Sequence, residues 1–160
     1  MVGASADRVF AHVDDPARLS SHMTESSWRM GGGRMRVDLD ERRGQAVGSR
    51  IRLKGRVLGF ELAVEEIVTE RDPPLRKVWE TAGTPKLLVI GHYRMGFELS
   101  PRGPDSVLRV FIEYSRPTRA PASWLGLVFG DYYARWCVQR MIEDAARQFA
   151  PVHHEGAARI

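Results

Sequence analysis

Cysteine is nearly missing from this sequence: Cys137 is the one thiol in 160 residues. A single thiol excludes an internal disulfide framework. Histidine is sparse and scattered, at positions His12, His22, His92, His153 and His154. None falls in a Cys-x-x-Cys or His-Glu-x-x-His setting, so no dedicated metal site is expected. Long apolar runs are lacking too. The longest, Leu87–Ile90 and Trp124–Phe129, fall far short of the ~20 residues of a membrane helix. No charged segment followed by an apolar one opens the chain, so no signal peptide is expected. These absences predict a cytoplasmic protein with no integral membrane association. Gly31-Gly32-Gly33 precedes a strand and lacks a following Lys-Ser/Thr, so it reads as a turn, not a phosphate loop, and no cofactor is implied.

What is present is ordinary for a globular chain: 43% hydrophobic and 28% charged residues. That balance excludes a disordered protein. The length fits one domain with its own core, taken here as residues 1–150 with a frayed 151–160 tail. The formal charge of +4 is modest, and no nucleic-acid partner is expected, for the reason given by the strand register below.

Helix signals open the chain. Ser5 is placed to cap a helix over Ala6–Val13, with Val9, Phe10 and Val13 on one face. Pro16 starts a second short helix near Ala17–Met23. After Gly33 the period changes to two. Met35, Val37 and Leu39 alternate with Arg34, Arg36 and Asp38, and Ile51, Leu53 and Val57 alternate with basic residues. Such alternation predicts strands with one dry and one wet face. Further strands are expected near Phe60–Glu70, Lys77–Thr81, Leu87–Leu99 and Val107–Tyr114, separated by Gly- and Pro-rich turns.

A turn at Leu58-Gly59 sets Arg56 opposite Glu61 and Arg52 opposite Glu65, so the basic ladder is neutralised by its neighbour. A turn across Pro101–Asp105 sets Tyr93 opposite Ile112, Met95 opposite Val110 and Phe97 opposite Leu108. On the wet face it sets His92 opposite Glu113. The strand after Phe60 poses a conflict. Leu62 and Val64 point inward from one turn, whereas Ile67 and Thr69 point inward from the other. A β-bulge at Glu65-Glu66 reconciles them and leaves both carboxylates facing water.

The chain closes with a long helix over Ala122–Ala150. Leu127, Ala134, Val138, Met141, Ala145 and Phe149 form its apolar stripe, and Phe129, Tyr132, Tyr133 and Trp136 adjoin it. Asp131 and Arg135 have the spacing of a helix-face ion pair. Cys137 reads as a small packing group. Two helices, a meander of about six strands and a long helix make an α+β pattern in which the dry sheet face and the helix stripe must cover each other.

The segments Ala4-Ser5-Ala6-Asp7-Arg8-Val9-Phe10, Asp14-Asp15-Pro16, Gly48-Ser49-Arg50 and Glu66 to Pro74 carry a resemblance. The chain resembles the polyketide cyclase/dehydrase and lipid-transport group of the START and birch-pollen-allergen-like (SRPBCC) superfamily over nearly its whole length. The resemblance implies a helix-grip: a curved sheet of six to seven strands around the C-terminal helix, enclosing a hydrophobic cavity. Family members begin with a strand before the first helix, and only Met1-Val2-Gly3 stand there here. A missing edge strand would expose pairing groups.

The expected ligand-binding residues are His22, Trp28, Leu53, Trp79, Tyr93, Met95, Phe97, Val110, Ile112, Tyr114 and Met141. Each also reads as plain core. No catalytic residue is assigned. Three functions fit: a carrier or sensor of an apolar or aromatic small molecule or lipid, a cyclase/aromatase-type enzyme using Tyr93, Tyr114 or His22, and a protein-interaction module using the helix aromatics. The sequence leaves the oligomeric state open, a homodimer included.

Overall fold

The computed structural model describes residues 1–19, 34–57, 60–116 and 122–149. His22, Trp28, Gly31–Gly33, the Leu58-Gly59 turn and the 151–160 tail lie outside them. Helix α1 spans Ala6–Val13 and buries Ala6, Val9, Phe10 and Val13. Ser5 occupies the N-cap position, but its side chain makes no capping hydrogen bond, contrary to expectation. Its backbone carbonyl accepts from the Val9 N–H at 3.1 Å instead. The capping side chain is one helix later: Asp15 Oδ1 accepts from the Ala17 N–H at 2.9 Å as α2 (Pro16–Leu19) begins.

Six strands follow: β1 (Arg34–Leu39), β2 (Arg50–Val57), β3 (Phe60–Asp72), β4 (Arg76–Lys86), β5 (Tyr93–Arg102) and β6 (Asp105–Tyr114). They form one antiparallel meander in chain order. Met35, Ile51, Leu53, Val64, Val68, Trp79, Met95 and Phe97 are buried on the inner face, as alternation requires. Gly48, at φ 81°, takes the left-handed turn before β2, and buried Ser49 beside it ties Asp40 Oδ1 to the Gly44 N–H. These bonds give the Gly48-Ser49-Arg50 segment its structural role.

The β2–β3 register pairs Arg56 with Glu61 and Arg52 with Glu65, as read from the sequence. Arg50 and Arg52 both reach Glu65, at 3.0 and 3.2 Å. Farther along the outer face Arg76 bonds Glu70 and Glu98, while Arg94 bonds Glu70. Phe111 lies under both guanidiniums. Gly96 keeps this outer layer tight, because a Cβ there would sit 2.6 Å from the Lys77 carbonyl and 2.8 Å from the Phe111 ring.

Three register expectations are corrected. The β5–β6 turn is tighter than expected, so every pair shifts by two residues. Tyr93 faces Tyr114, Met95 faces Ile112 and Phe97 faces Val110. The inner face is preserved because a shift of two keeps parity. Arg94, not His92, therefore lies opposite Glu113, and His92 is exposed. Second, the expected Leu87–Leu99 strand begins only at Tyr93, while β4 continues to Lys86. Residues 87–92 form a connection pinned by Gly91 N–H to Ser115 O and Ser115 N–H to His92 O, each 2.8 Å.

Third, no bulge occurs at Glu65-Glu66 in the pairing of β2 with β3. Alternation runs unbroken through Val64, Glu66 and Val68, so Glu66 points inward and Ile67 does not. Against β4 the register slips between Ala63 and Glu65 and again between Val68 and Glu70. The second slip reverses parity at Thr69. It turns Glu70 out to Arg76 and Arg94, and Arg71 in toward α1.

Helix α3 (Ala122–Gln148) lies across the inner face. Ala134, Cys137, Met141 and Ala145 are its buried stripe, and Val138 and Phe149 are half-buried. Before α1, Val2 makes a two-bond bridge to Ser106 on β6, at 2.8 and 3.1 Å. No helix among the described residues is long and apolar enough to cross a membrane.

Candidate functional site

The inner sheet face and α3 do not close completely on each other. Between them lies a cavity with about 90 Å³ in which atom centres can sit. A water molecule needs roughly 10–15 Å³ on that measure, so the space holds several waters or a compact organic group. The sheet supplies Met35, Ile51, Leu53, Val64, Met95 and Ile112 as an apolar floor. Helix α3 adds Cys137 and Met141, and α2 adds Pro16 and Leu19. Leu87 and Ile90 complete it, because the pinned 87–92 connection folds this apolar run inward.

Polar groups gather at one part of this wall. Glu66 on β3 is only 7% exposed. It lies in a cross-strand row with Ile51 on β2 and Thr81 on β4. The Tyr93 hydroxyl donates to Glu66 Oε1, and the Trp79 indole is a second donor to the carboxylate. Thr81 fixes the start of β5 by bonding the Tyr93 N–H at 3.1 Å and carbonyl at 3.2 Å. Both donors to Glu66 are neutral. Burial outweighs them and pushes the Glu66 carboxyl up to about 7. Burial and the adjoining Glu66 also raise the Tyr93 hydroxyl well above its ordinary value.

On the facing helix, Tyr133 and Cys137 stand one turn apart and are hydrogen-bonded to each other. Burial pushes the Cys137 thiol up to about 12, so it remains protonated and is no nucleophile at neutral pH. Its expected role as a packing group agrees with this burial.

Lys77 lines another part of the cavity, 1% exposed. Its ammonium is already taken, at 2.8 Å from Asp14 Oδ1 and 2.6 Å from the Asp14 carbonyl. Arg71 grips the same carboxylate through Nη2 at 2.8 Å and Nε at 3.2 Å. Burial alone would raise the Asp14 carboxyl, but the bonds from Arg71 and Lys77 hold it below its ordinary value. Burial lowers the Lys77 ammonium against the pull of Asp14. This cluster joins the end of α1 to β3 and β4. Among the described residues, no group of three or more His, Cys, Asp or Glu side chains is arranged to hold a metal.

Comparison with known proteins fits this geometry. The family model described as polyketide cyclase / dehydrase and lipid transport matches residues 1–153. The chain belongs to this family. No curated protein matches the sequence. Several solved structures share the fold. Protein CV1439 from Chromobacterium violaceum is 18% identical, with 94% of each chain covered and a TM-score of 0.60. Norcoclaurine synthase from Thalictrum flavum is 17% identical over 92% of this chain and 80% of its own, with a TM-score of 0.62. Ara h 8.0201 is 11% identical over 90% and 91%, with a TM-score of 0.59. The architecture is therefore the helix-grip, with six strands among the described residues.

Within this family framework, the cavity wall includes Leu53, Trp79, Tyr93, Met95, Ile112 and Met141 of the residues expected there. His22 and Trp28 lie outside the described residues. Three expectations are corrected. Phe97 and Val110 pair with each other away from the cavity, in solid core, because Phe10 of α1 packs 5.6 Å from the Phe97 ring and fills that end. Tyr114 shares the inner face with its partner Tyr93 but is not part of the cavity wall, and its hydroxyl donates to Asp131 on α3. Asp131 is thus engaged across to β6, not by Arg135 along its own helix. Sequence reasoning missed Glu66 and Lys77. Simple continuation of the Leu62–Val64 alternation would have found Glu66. Lys77 carried no signal, because its counter-charge sits 63 residues earlier.

Proposed function

We propose that this protein is a binding module that holds an apolar or aromatic small molecule between the sheet and α3, as a carrier or sensor. The apolar cavity between the sheet and α3 carries this reading. Cavities lined mainly by apolar and aromatic groups, with a few placed polar atoms, are the usual form of small-molecule sites. A compact ring with a short substituent fits the room between these walls. Norcoclaurine synthase has also been solved with dopamine and hydroxybenzaldehyde, which supports that size class for the fold. We place the protein in the cytoplasm, in keeping with its unpaired Cys137 thiol. The ion-paired outer face argues against a nucleic-acid partner.

Native mass spectrometry of freshly purified protein, followed by denaturing extraction, tests the reading. A stoichiometric apolar adduct is expected. A clean apo mass, with no thermal shift against a panel of lipids and aromatic compounds, would transfer the weight to a protein-interaction role. The exposed Phe129 and Tyr132 on α3 are the surface such a role would use.

One observation favours a second reading, a cyclase-type enzyme. Glu66 and Tyr93 converge in a dry site, and a carboxyl poised near 7 suits proton transfer at neutral pH. In that case the protein accelerates deuterium exchange at the α-carbon of an aryl ketone in heavy water, followed by NMR, and Glu66→Gln abolishes it. Exchange at the buffer rate would exclude this chemistry for that substrate class.

A further inference from the structure

The cavity holds a carboxylate, Glu66, that no cation among the described residues bonds. We propose that the cavity takes an apolar ligand bearing a single amine, whose ammonium sits against Glu66 while its apolar body packs among Trp79, Tyr93 and Tyr133. This rests on the cavity being a ligand site, and it names the chemistry of that ligand.

Two ionisable groups of opposite sign reach the cavity, and they are not equivalent. Lys77 is spent on Asp14, which Arg71 also holds. It influences Glu66 only through space and less than any of its other neighbours. Glu66 bonds Tyr93 and Trp79, which are neutral donors. None of the ion pairs among the described residues includes it. A buried carboxylate without a cationic partner is costly, and removing it would leave a better-packed apolar wall. Its retention at the edge of open space is explained if a cation arrives with the ligand.

The aromatic groups point the same way. Trp79, Tyr93 and Tyr133 line the same cavity as Glu66. Faces of Trp and Tyr attract ammonium groups, most strongly where water is excluded. A carboxylate flanked by such rings is complementary to an amine. An anionic ligand would meet Glu66 and find Lys77 already occupied. A neutral ligand would leave Glu66 with only its present donors.

Glu66 is also the group that would titrate at neutral pH. From β5 it faces Tyr93, from β4 Trp79 and Lys77, and from β2 the apolar Ile51. Tyr133 and Cys137 close the site from α3, and both are shifted upward by burial, so they stay protonated. Lys77 stays tied to Asp14.

Isothermal titration calorimetry with 1-naphthylmethylamine and its neutral isostere 1-naphthylmethanol tests the proposal. The amine stays protonated between pH 6 and pH 8. Its affinity for the wild-type protein is expected to rise about tenfold over that range, following the ionised fraction of Glu66. The alcohol should bind with little pH dependence, and more weakly than the amine at pH 8 by about tenfold or more. Glu66→Gln should keep the alcohol affinity and lose both the amine preference and its pH dependence. Tyr93→Phe removes a donor to the carboxylate and should move the midpoint of the amine profile to higher pH.

Equal binding of amine and alcohol to the wild-type protein would overturn the proposal while leaving the container reading intact. So would an amine preference that survives in Glu66→Gln. Failure of both probes to bind, with no thermal shift from the wider panel, would overturn the container reading and the proposal together.

Discussion

Replacing Glu66 by Gln is expected to stabilise the ligand-free protein by about 3 kcal/mol at pH 8, and to leave its stability nearly unchanged at pH 4. The sign follows from the carboxyl's rise from its ordinary 4.5 to about 7 on folding. The folded chain binds this proton more tightly than the unfolded chain. Folding is therefore unhindered below the unfolded value and loses stability as pH rises toward 7. Every tenfold difference in proton affinity between the two states is worth about 1.4 kcal/mol, which sets the size of the effect. Gln keeps an acceptor for Tyr93 and Trp79 without the charge. Urea unfolding of both proteins at pH 4 and pH 8 measures the difference. Equal midpoints at pH 8 would mean that solvent already compensates the carboxylate, and the buried-charge account would fail. A gain in stability together with a loss of amine binding would identify Glu66 as a functional group kept at the expense of the fold.

Asp14→Ala is expected to destabilise the protein by about 3–5 kcal/mol, because it strands the Lys77 ammonium in a place where it is 1% exposed. Arg71 is the less affected partner, since its side chain is 27% exposed and can turn to solvent. A double variant, Asp14→Ala with Lys77→Met, should recover much of the loss. Replacing a buried ion pair by apolar groups of similar volume is often neutral or stabilising. The Asp14 carboxyl lies below its ordinary value when folded, so its contribution is present above the unfolded value and is lost as acid protonates it. Urea melts of the wild type, both single variants (Asp14→Ala and Lys77→Met) and the double variant at neutral pH give the coupling. If Asp14→Ala fell within about 1 kcal/mol of wild type, the cluster would be solvated and its role as the clamp between α1 and the sheet would be refuted.

The fold was legible in the sequence because its signals are local and periodic. The alternation in β1, β2 and β5, and the stripe on α3, each state which side is dry within a span of a few residues. The Arg56–Glu61 and Arg52–Glu65 pairs were legible because a tight hairpin couples neighbours in the chain. The β5–β6 register came out two residues wrong because Pro and Gly mark where a turn falls but not how tightly it closes. Parity survived that error, so the inner residues remained inner. The bulge was expected at Glu65-Glu66 to reconcile the alternation read from two turns, but the slip that reverses parity lies at Thr69, because the conflict shows that a residue is extra and not where the strand accommodates it.

The candidate site was legible only in part, and the reason is physical. Hydrophobic patterning separates inside from outside, but it does not say which inward residues face packed atoms and which face open space. Phe97 and Tyr93 lie on the same strand and face, yet α1 fills the space over one and leaves the other at the cavity. By itself, the sequence determined an α+β pattern with a dry sheet face turned to a long helix, and the family resemblance implied the helix-grip. Tertiary structure alone decided that Glu66 is buried between Tyr93 and Trp79, that Lys77 is spent on Asp14, and that the two charges are not partners. Those outcomes depend on distances between residues far apart in the chain, and on the burial that sets the cost of each charge.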